Sequence, residues 1–160
     1  MKKMTMLLLA LCLVLSSCFS PESDTINKET YFYLTDTAGR VTTTFHPGES
    51  FNVKFCLTNT TEDSLDFTMG DGGPFVRFSI YQDDQYIAGS TDGLSFIQPV
   101  FYLKFAPGDS MKSTWLAPTT PWQEPKITLS PGSYQMMVDF PQFNLLQTDT
   151  IPDITFTIIE

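Results

Sequence analysis

Residues 51–58 read Phe-Asn-Val-Lys-Phe-Cys-Leu-Thr, and this stretch decides the fold class of the chain. Its odd-numbered positions are large and apolar, whereas its even-numbered positions are polar or small. Successive side chains of a β-strand point to opposite faces, so a period of two predicts a strand with one face in the core and the other in water.

The same alternation recurs along the chain, and no stretch after residue 18 shows a helical period. It occurs at Val76, Phe78 and Ile80; at Met111, Ser113 and Trp115; at Tyr134, Met136, Val138 and Phe140; and at Ile154, Phe156 and Ile158. Short strands separated by turn residues are typical of a two-sheet sandwich. The sequence therefore predicts an all-β, immunoglobulin-like β-sandwich of about seven to nine antiparallel strands.

Three Pro-Gly turns precede predicted strands. Residues 46–50, 106–110 and 130–134 read HPGES, APGDS and SPGSY. Proline sets the first central φ of a turn and glycine accepts the positive φ that follows, which favours type II turns. We expect a strand to begin directly after each of them.

The first 18 residues have the layout of a bacterial export signal. Two lysines precede an apolar stretch over residues 4–15, which is shorter than the roughly 20 residues of a membrane-spanning helix. Its end, Leu15-Ser16-Ser17-Cys18, resembles the lipobox of bacterial lipoproteins, in which the cysteine thiol receives a diacylglyceryl group.

We therefore expect a signal peptide over 1–17, a lipidated tether over 18–29 and one domain over 30–160. The resemblance implies that acyl chains on Cys18 anchor the protein to a membrane. The expected location is the bacterial cell envelope, on the periplasmic or cell-surface side of a membrane.

Composition excludes one class of partner. Without the two lysines of the signal, seven basic residues face eighteen acidic ones, a formal charge of −11. An acidic surface repels phosphate backbones, so no nucleic-acid partner is expected. Of the three cysteines, Cys12 lies in the signal and Cys18 is the lipidation site, which leaves Cys56 without a partner for a disulfide.

Several segments between residues 53 and 140 follow one another in a recognisable order. They are 53–59 (VKFCLTN), 65–67 (LDF), 78–83 (FSIYQD), 95–99 (SFIQP), 103–110, Trp115 and 131–138 (PGSYQMMV). In this order and spacing the chain resembles the BsuPI family, which is named for an intracellular proteinase inhibitor and has an immunoglobulin-like fold. The matched positions belong mainly to strands and turns, so the resemblance implies the fold more strongly than inhibition.

The sequence departs from the family in two places. The segment between Trp115 and Pro131 is longer, and residues 88–93 (AGSTDG) replace the aromatic and basic residues that the family carries there. The named inhibitor is also cytoplasmic, whereas this chain is expected to be exported. No inhibitory loop is therefore carried over to this sequence.

No catalytic constellation is found. The chain has one histidine, His46, whose place in a Pro-Gly turn indicates a solvated turn residue rather than a general base. Adjacent acidic residues such as Asp83 and Asp84 are interpreted as a hairpin turn, because neighbouring strand residues point to different sides. We expect no enzyme activity, no cofactor and no metal site.

One irregular stretch stands out between the predicted strands. Residues 116–126 (LAPTTPWQEPK) contain three prolines and one tryptophan. Prolines lower the entropy lost when a loop is held by a partner, and tryptophan is a frequent interface anchor. The candidate interaction loop comprises Pro121, Trp122, Gln123, Pro125 and Lys126. The alternative is a crossover whose tryptophan folds back onto a sheet.

A short tripeptide, Asp-Ser/Thr followed by an apolar or small residue, occurs five times. It resembles the O-glycosylation site of some anaerobic Gram-negative bacteria. The candidate acceptors are Thr25, Thr37, Ser64, Ser110 and Thr150.

The sequence thus predicts a membrane-anchored, non-catalytic module that binds a protein or a glycan of the envelope. A proteinase inhibitor is the first alternative, because of the BsuPI resemblance. A structural lipoprotein of an envelope assembly is the second.

Overall fold

A computed structural model describes residues 28–69, 72–97, 100–120, 122–123, 125–140 and 151–160. These residues form ten strands and no helix. The strands are β1 (Lys28–Thr35), β2 (Thr44–Phe45), β3 (Phe51–Asn59), β4 (Leu65–Met69), β5 (Arg77–Gln82), β6 (Gln85–Gly89), β7 (Phe101–Phe105), β8 (Ser110–Ala117), β9 (Gly132–Asp139) and β10 (Ile154–Ile158). The predicted all-β class is confirmed. The count exceeds the expected seven to nine because a strand as short as β2 shows no alternation.

The first sheet has the order β1-β3-β8, and both pairings are antiparallel. The predicted alternation holds along β3, where Phe51, Val53, Phe55, Leu57 and Asn59 are buried and the residues between them are half-buried. Strand β1 begins at Lys28, which pairs with Asn59, so it includes the last two residues of the segment expected to be a tether.

The second sheet has the order β2-β10-β9-β5-β6. Its central pairs are antiparallel, as expected, but β2 runs parallel to β10. Its buried side chains include Phe78, Ile80, Tyr134, Met136 and Phe156, all at positions that the alternation predicted.

The core lies between these two sheets. The ring of Phe51 in β3 lies 4.2 Å from the ring of Phe45 and 5.2 Å from that of Phe156, both on the second sheet. Phe32 in β1 stacks on Phe78 in β5 at 6.2 Å. Burial of each large apolar side chain contributes about 1.5–3 kcal/mol, so this sandwich core is the main source of stability.

Strands β4 and β7 form a separate two-stranded ribbon that follows on from β3 and β8. The junction is organised by Asn59, which is fully buried. Its Nδ2 donates to the carbonyl oxygens of Phe105 and Asp63, each at 2.9 Å, and its Oδ1 accepts from Thr61.

Two of the three Pro-Gly turns are type II turns, as predicted. In one, the N–H of Glu49 donates to the carbonyl of His46 at 3.1 Å, and Gly48 has a φ of 77°. The turn at 106–109 repeats this geometry, with a φ of 82° at Gly108. In both turns an acidic side chain accepts from the first backbone N–H, at 2.9 Å and 2.8 Å.

The third turn differs. Gly132 has a φ of 157° and already belongs to β9. A serine stands where the other two turns carry an acidic residue, and instead the hydroxyl of Tyr134 donates to the carbonyl of Ser130 at 2.8 Å. This bond resembles the tyrosine corner of immunoglobulin-like sandwiches. A strand nevertheless begins at each of the three turns.

Asp83 and Asp84 form the predicted hairpin turn, between β5 and β6. Both have positive φ values, 49° and 62°. Two successive residues of positive φ define the type I′ turn that suits the twist of a two-residue hairpin.

Candidate functional site

A cleft of about 870 Å³ opens along β8, which is an edge strand of the first sheet. This volume is in the range of ligand sites. Its floor is formed by residues 113–116 of β8. The opposite wall comes from the second sheet and the turn after it, with Val76, Phe78, Ser90, Leu94 and Phe96.

The third wall comes from the loop that follows β8, with residues 118–120, 122 and 126–128, and it includes two of the predicted interaction residues, Trp122 and Lys126. Thr119 closes its base, since its Oγ1 donates to the carbonyl of Ile127 at 3.2 Å and accepts from the N–H of Ile127 at 3.1 Å. Thr120 is buried, and its Oγ1 donates to the carbonyl of Asp92 at 3.0 Å. The loop is therefore fastened both to itself and to the turn at 89–94.

The turn at 89–94 is itself hydrogen-bonded to the second sheet. The N–H of Gly89 donates to Oδ2 of Asp92 at 2.8 Å, and the hydroxyl of Tyr86 donates to Oδ1 of the same carboxylate. Burial, and next the hydrogen bond to Asp92, raise the pKa of the Tyr86 phenol far above its usual value. Tyr86 thus acts as a neutral donor in this structure.

Trp122 lies at the mouth of the cleft with 73% of its surface exposed. The alternative in which this tryptophan folds back onto a sheet is therefore wrong. Lys126 also lines the cleft and is exposed, Gln123 is half-buried, and Pro125 is exposed. Pro121 lies outside the described residues.

Trp115 lies in the floor of the cleft and is 6% exposed, in agreement with its predicted place in the core. Its indole Nε1 is buried and has no acceptor among the described residues.

The sequence interpretation missed the contribution of β8 and of residues 90–96 to this cleft. One signal was available. Lys112, Thr114 and Leu116 occupy the outward face of β8, and Leu116 is apolar at a position where alternation calls for a polar residue. It is 52% exposed and lines the cleft.

The predicted modification sites are partly described. Thr37, Ser64 and Ser110 are exposed, whereas Cys18, Thr25 and Thr150 lie outside the described residues. Glycosylation and lipidation stay predictions.

In the part of the chain that the structure describes, the remaining polar groups form no cluster that indicates chemistry. His46 is exposed in its turn, as predicted. Within the described ranges, no group of three His, Cys, Asp or Glu residues could hold a metal ion. Cys56 is a free, half-buried thiol on the outward face of the first sheet.

The fold and the cleft define an all-β sandwich domain with an open cleft at one sheet edge. No protein-family model matches the sequence, and no curated protein matches it. None of the described residues forms a helix that could span a membrane.

Among solved structures, the chain is similar to the alkylpurine DNA glycosylase AlkC of Pseudomonas fluorescens, with 12% identity, a TM-score of 0.41, and coverage of 82% of this chain and 30% of that one. It is also similar to a β-glucosidase of Listeria innocua, with 9% identity, a TM-score of 0.40, and coverage of 81% and 16%. A third similar structure is a β-D-glucoside glucohydrolase of Trichoderma reesei, with 12% identity, a TM-score of 0.40, and coverage of 84% of this chain and 19% of that one.

The chain therefore spans less than a third of the length of these structures. With TM-scores of 0.40 and 0.41, the likeness carries no argument about function.

Proposed function

We propose that this chain is a non-catalytic binding module of the bacterial cell envelope, anchored to a membrane through acyl chains on Cys18. Its cleft along β8 binds a protein or a glycan of the envelope. The observation that carries the proposal is Trp122, which is 73% exposed at the mouth of a cleft whose floor holds the buried Trp115.

Exposure of this tryptophan to water is unfavourable in the free protein, whereas the same side chain can anchor a partner at an interface. Tryptophan is enriched among the few interface residues whose truncation costs about 2 kcal/mol or more of binding free energy. The hydrogen bonds of Thr119 and Thr120 fix the base of the loop before any partner arrives, which reduces the ordering entropy that binding would cost there.

Site-specific crosslinking in intact cells tests the cleft. A photoreactive phenylalanine analogue replaces Trp122 in one variant and Tyr102 in a matched variant, because Tyr102 is an aromatic residue that is 83% exposed on β7 and does not line the cleft. We expect a discrete crosslinked species from position 122 only. Equal crosslinking at both positions, or none at 122, contradicts the proposal.

The anchor has its own test. Wild type and Cys18→Ser are expressed with a radiolabelled fatty acid and then fractionated. We expect label and membrane association in the wild type and neither in the variant. Unlabelled protein in the soluble fraction for both would contradict lipidation.

The resemblance to the BsuPI family supports a second candidate function, inhibition of a proteinase. The full-length protein at micromolar concentration is titrated against serine, cysteine and metalloproteinases. Stoichiometric loss of one activity supports inhibition. Full activity of all three classes contradicts it and leaves the binding module.

A further inference from the structure

The cleft meets β8 along its backbone rather than on one of its faces. Ser113, Thr114, Trp115 and Leu116 all line it, although consecutive side chains of a strand point to opposite sides. Four consecutive residues share one cleft only if the cleft runs along the edge of the strand. The inference that follows rests on the proposed binding function and specifies its ligand.

Hydrogen bonds at two places show which backbone groups of β8 face this edge. The N–H of Asn59 donates to the carbonyl of Asp109 at 2.9 Å, so the backbone groups of Asn59 point towards the chain that enters β8. The carbonyl of Leu34 accepts from the N–H of Thr42 at 3.2 Å, so it points away from β3. Leu34 pairs with Val53, whose own backbone groups therefore point towards β8.

In a strand that lies between two antiparallel neighbours, the backbone groups of successive residues bond alternately to one neighbouring strand and to the other. Asn59 and Val53 both belong to the odd-numbered set of β3, which therefore bonds to Met111, Ser113, Trp115 and Ala117 of β8. The N–H and C=O groups of Lys112, Thr114 and Leu116 therefore point away from β3, towards the side of β8 on which the cleft lies. Among the described residues, no backbone group bonds to that side of β8.

The surroundings of this edge indicate the charge of its ligand. Lys112 on β8 and Lys126 at the cleft are exposed, and Lys54 lies beside Thr114 on the same outward face. Although the chain has a net charge of −9, none of the described residues that line the cleft is acidic. Pairing with β8 of a second copy would place both sets of lysines on one sheet, which argues against self-association through this edge.

We infer that the free edge of β8 accepts an extended acidic peptide segment as an additional strand of the first sheet. Alternate residues of the added strand face opposite sides. Those on the outward side adjoin Lys112 and are acidic. Those on the inward side lie over Trp115 and Leu94 and are apolar.

The test uses the full-length protein in detergent and a pool of octapeptides in which Asp or Glu alternates with Val, Ile, Tyr or Phe. A matched pool carries Lys in place of the acidic residues. Binding is followed by the emission of Trp115 and Trp122, the two tryptophans of the chain, both of which line the cleft. We expect at least tenfold tighter binding of the acidic pool.

Amide hydrogen exchange identifies the mode of binding. The acidic pool is expected to slow exchange at Lys112, Thr114 and Leu116 at least tenfold. Thr30 and Phe32, whose amides face the other free edge of the same sheet by the same alternation, are the internal control and are expected to stay unchanged. Peptides with N-methylated alternate amides keep their side chains but lose the donors, and we expect them not to bind.

A charge-reversed variant, Lys112→Glu with Lys126→Glu, is expected to prefer the lysine pool, whereas Lys104→Glu on β7 keeps the wild-type preference. If the double variant does not fold, the N-methylated peptides decide the question without any change to the protein. Absence of binding by the acidic pool, or binding without protection of the three β8 amides, overturns strand addition. Crosslinking at position 122 that persists in either case leaves the binding module intact, so the two proposals fail separately.

Discussion

The side-chain amide of Asn59 donates to the carbonyl oxygen of Phe105, 46 residues further along the chain, at a distance of 2.9 Å. This bond connects the end of β3 to the end of β7. The amide also serves Asp63 and Thr61, so one fully buried side chain satisfies the backbone at the point where one ribbon ends and the next begins. An amide is suited to this place because it both donates and accepts.

Asn59→Ala should lower the free energy of unfolding by about 3 kcal/mol, since it leaves several buried backbone groups without partners. Urea denaturation measures the loss. Thr58→Ala on the outward face of the same strand is the control and should cost less than about 1 kcal/mol. Equal losses in the two variants would mean that the junction is not held by this amide.

Phe51→Ala should cost about 4 kcal/mol, because the ring of Phe51 contacts Phe45 and Phe156 across the two sheets and leaves a cavity when it is removed. Val41→Ala, at a residue that is 72% exposed, should change stability by less than about 0.5 kcal/mol. A small loss at Phe51 would show that the two sheets do not pack through this cluster.

Stability should fall in acid through Asp36. The backbone N–H of Arg40 donates to Oδ1 at 2.9 Å and lowers the pKa of this carboxyl, and the Arg40 side chain adds to the effect. A carboxyl whose pKa is lower in the folded state stabilises above its unfolded value, near 3.8, and loses that contribution as the pH falls.

Asp36→Asn should therefore be less stable than wild type at pH 7, and the difference should be smaller at pH 2.5. Urea midpoints at the two values measure the difference. A constant gap between the two proteins across this range would rule out titration of Asp36 as the cause.

Stability should also fall in alkali through Tyr86. Its pKa is raised by burial and by the hydrogen bond to Asp92, so the folded state keeps the proton that the unfolded chain loses near pH 10. The contribution is complete below pH 10 and declines above it. In Tyr86→Phe we expect a flatter dependence of the unfolding midpoint between pH 9 and 11. An unchanged slope would contradict this assignment.

Trp122→Ala should leave the unfolding free energy within about 0.5 kcal/mol of wild type, because the side chain is 73% exposed. The emission spectrum should lose its solvent-exposed component and keep that of the buried Trp115. A loss of more than 1 kcal/mol would assign Trp122 to folding rather than to recognition.

Local patterns foretold the parts of this structure that depend on neighbouring residues. The faces of β3, β5, β9 and β10 follow from alternation, and a strand begins at each of the three Pro-Gly turns, of which two have the predicted type II geometry. The proline-rich loop with Trp122 was also singled out, but the sequence left open whether this tryptophan folds back onto a sheet.

Alternation states which face of a strand is buried but not which strand lies beside it. The edge position of β8, the parallel pairing of β2 and the ribbon of β4 and β7 depend on contacts between distant segments. The cleft arises from the same contacts, since it joins residues 113–116 to residues 90–96. For this reason only its loop was found in the sequence.

The register of β1 shows that Lys28 and the cleft lie towards opposite ends of the first sheet. Lys28 pairs with Asn59 at one end of the first sheet, whereas Ser50 and Leu116 border the cleft towards the other end. These two positions are about eight residues apart along β3, which corresponds to a distance of about 25 Å at the rise per residue of a strand. If the tether connects Lys28 to a lipid bilayer, the cleft lies towards the end of the domain that is farther from the attachment point, where it is accessible to partners outside the membrane.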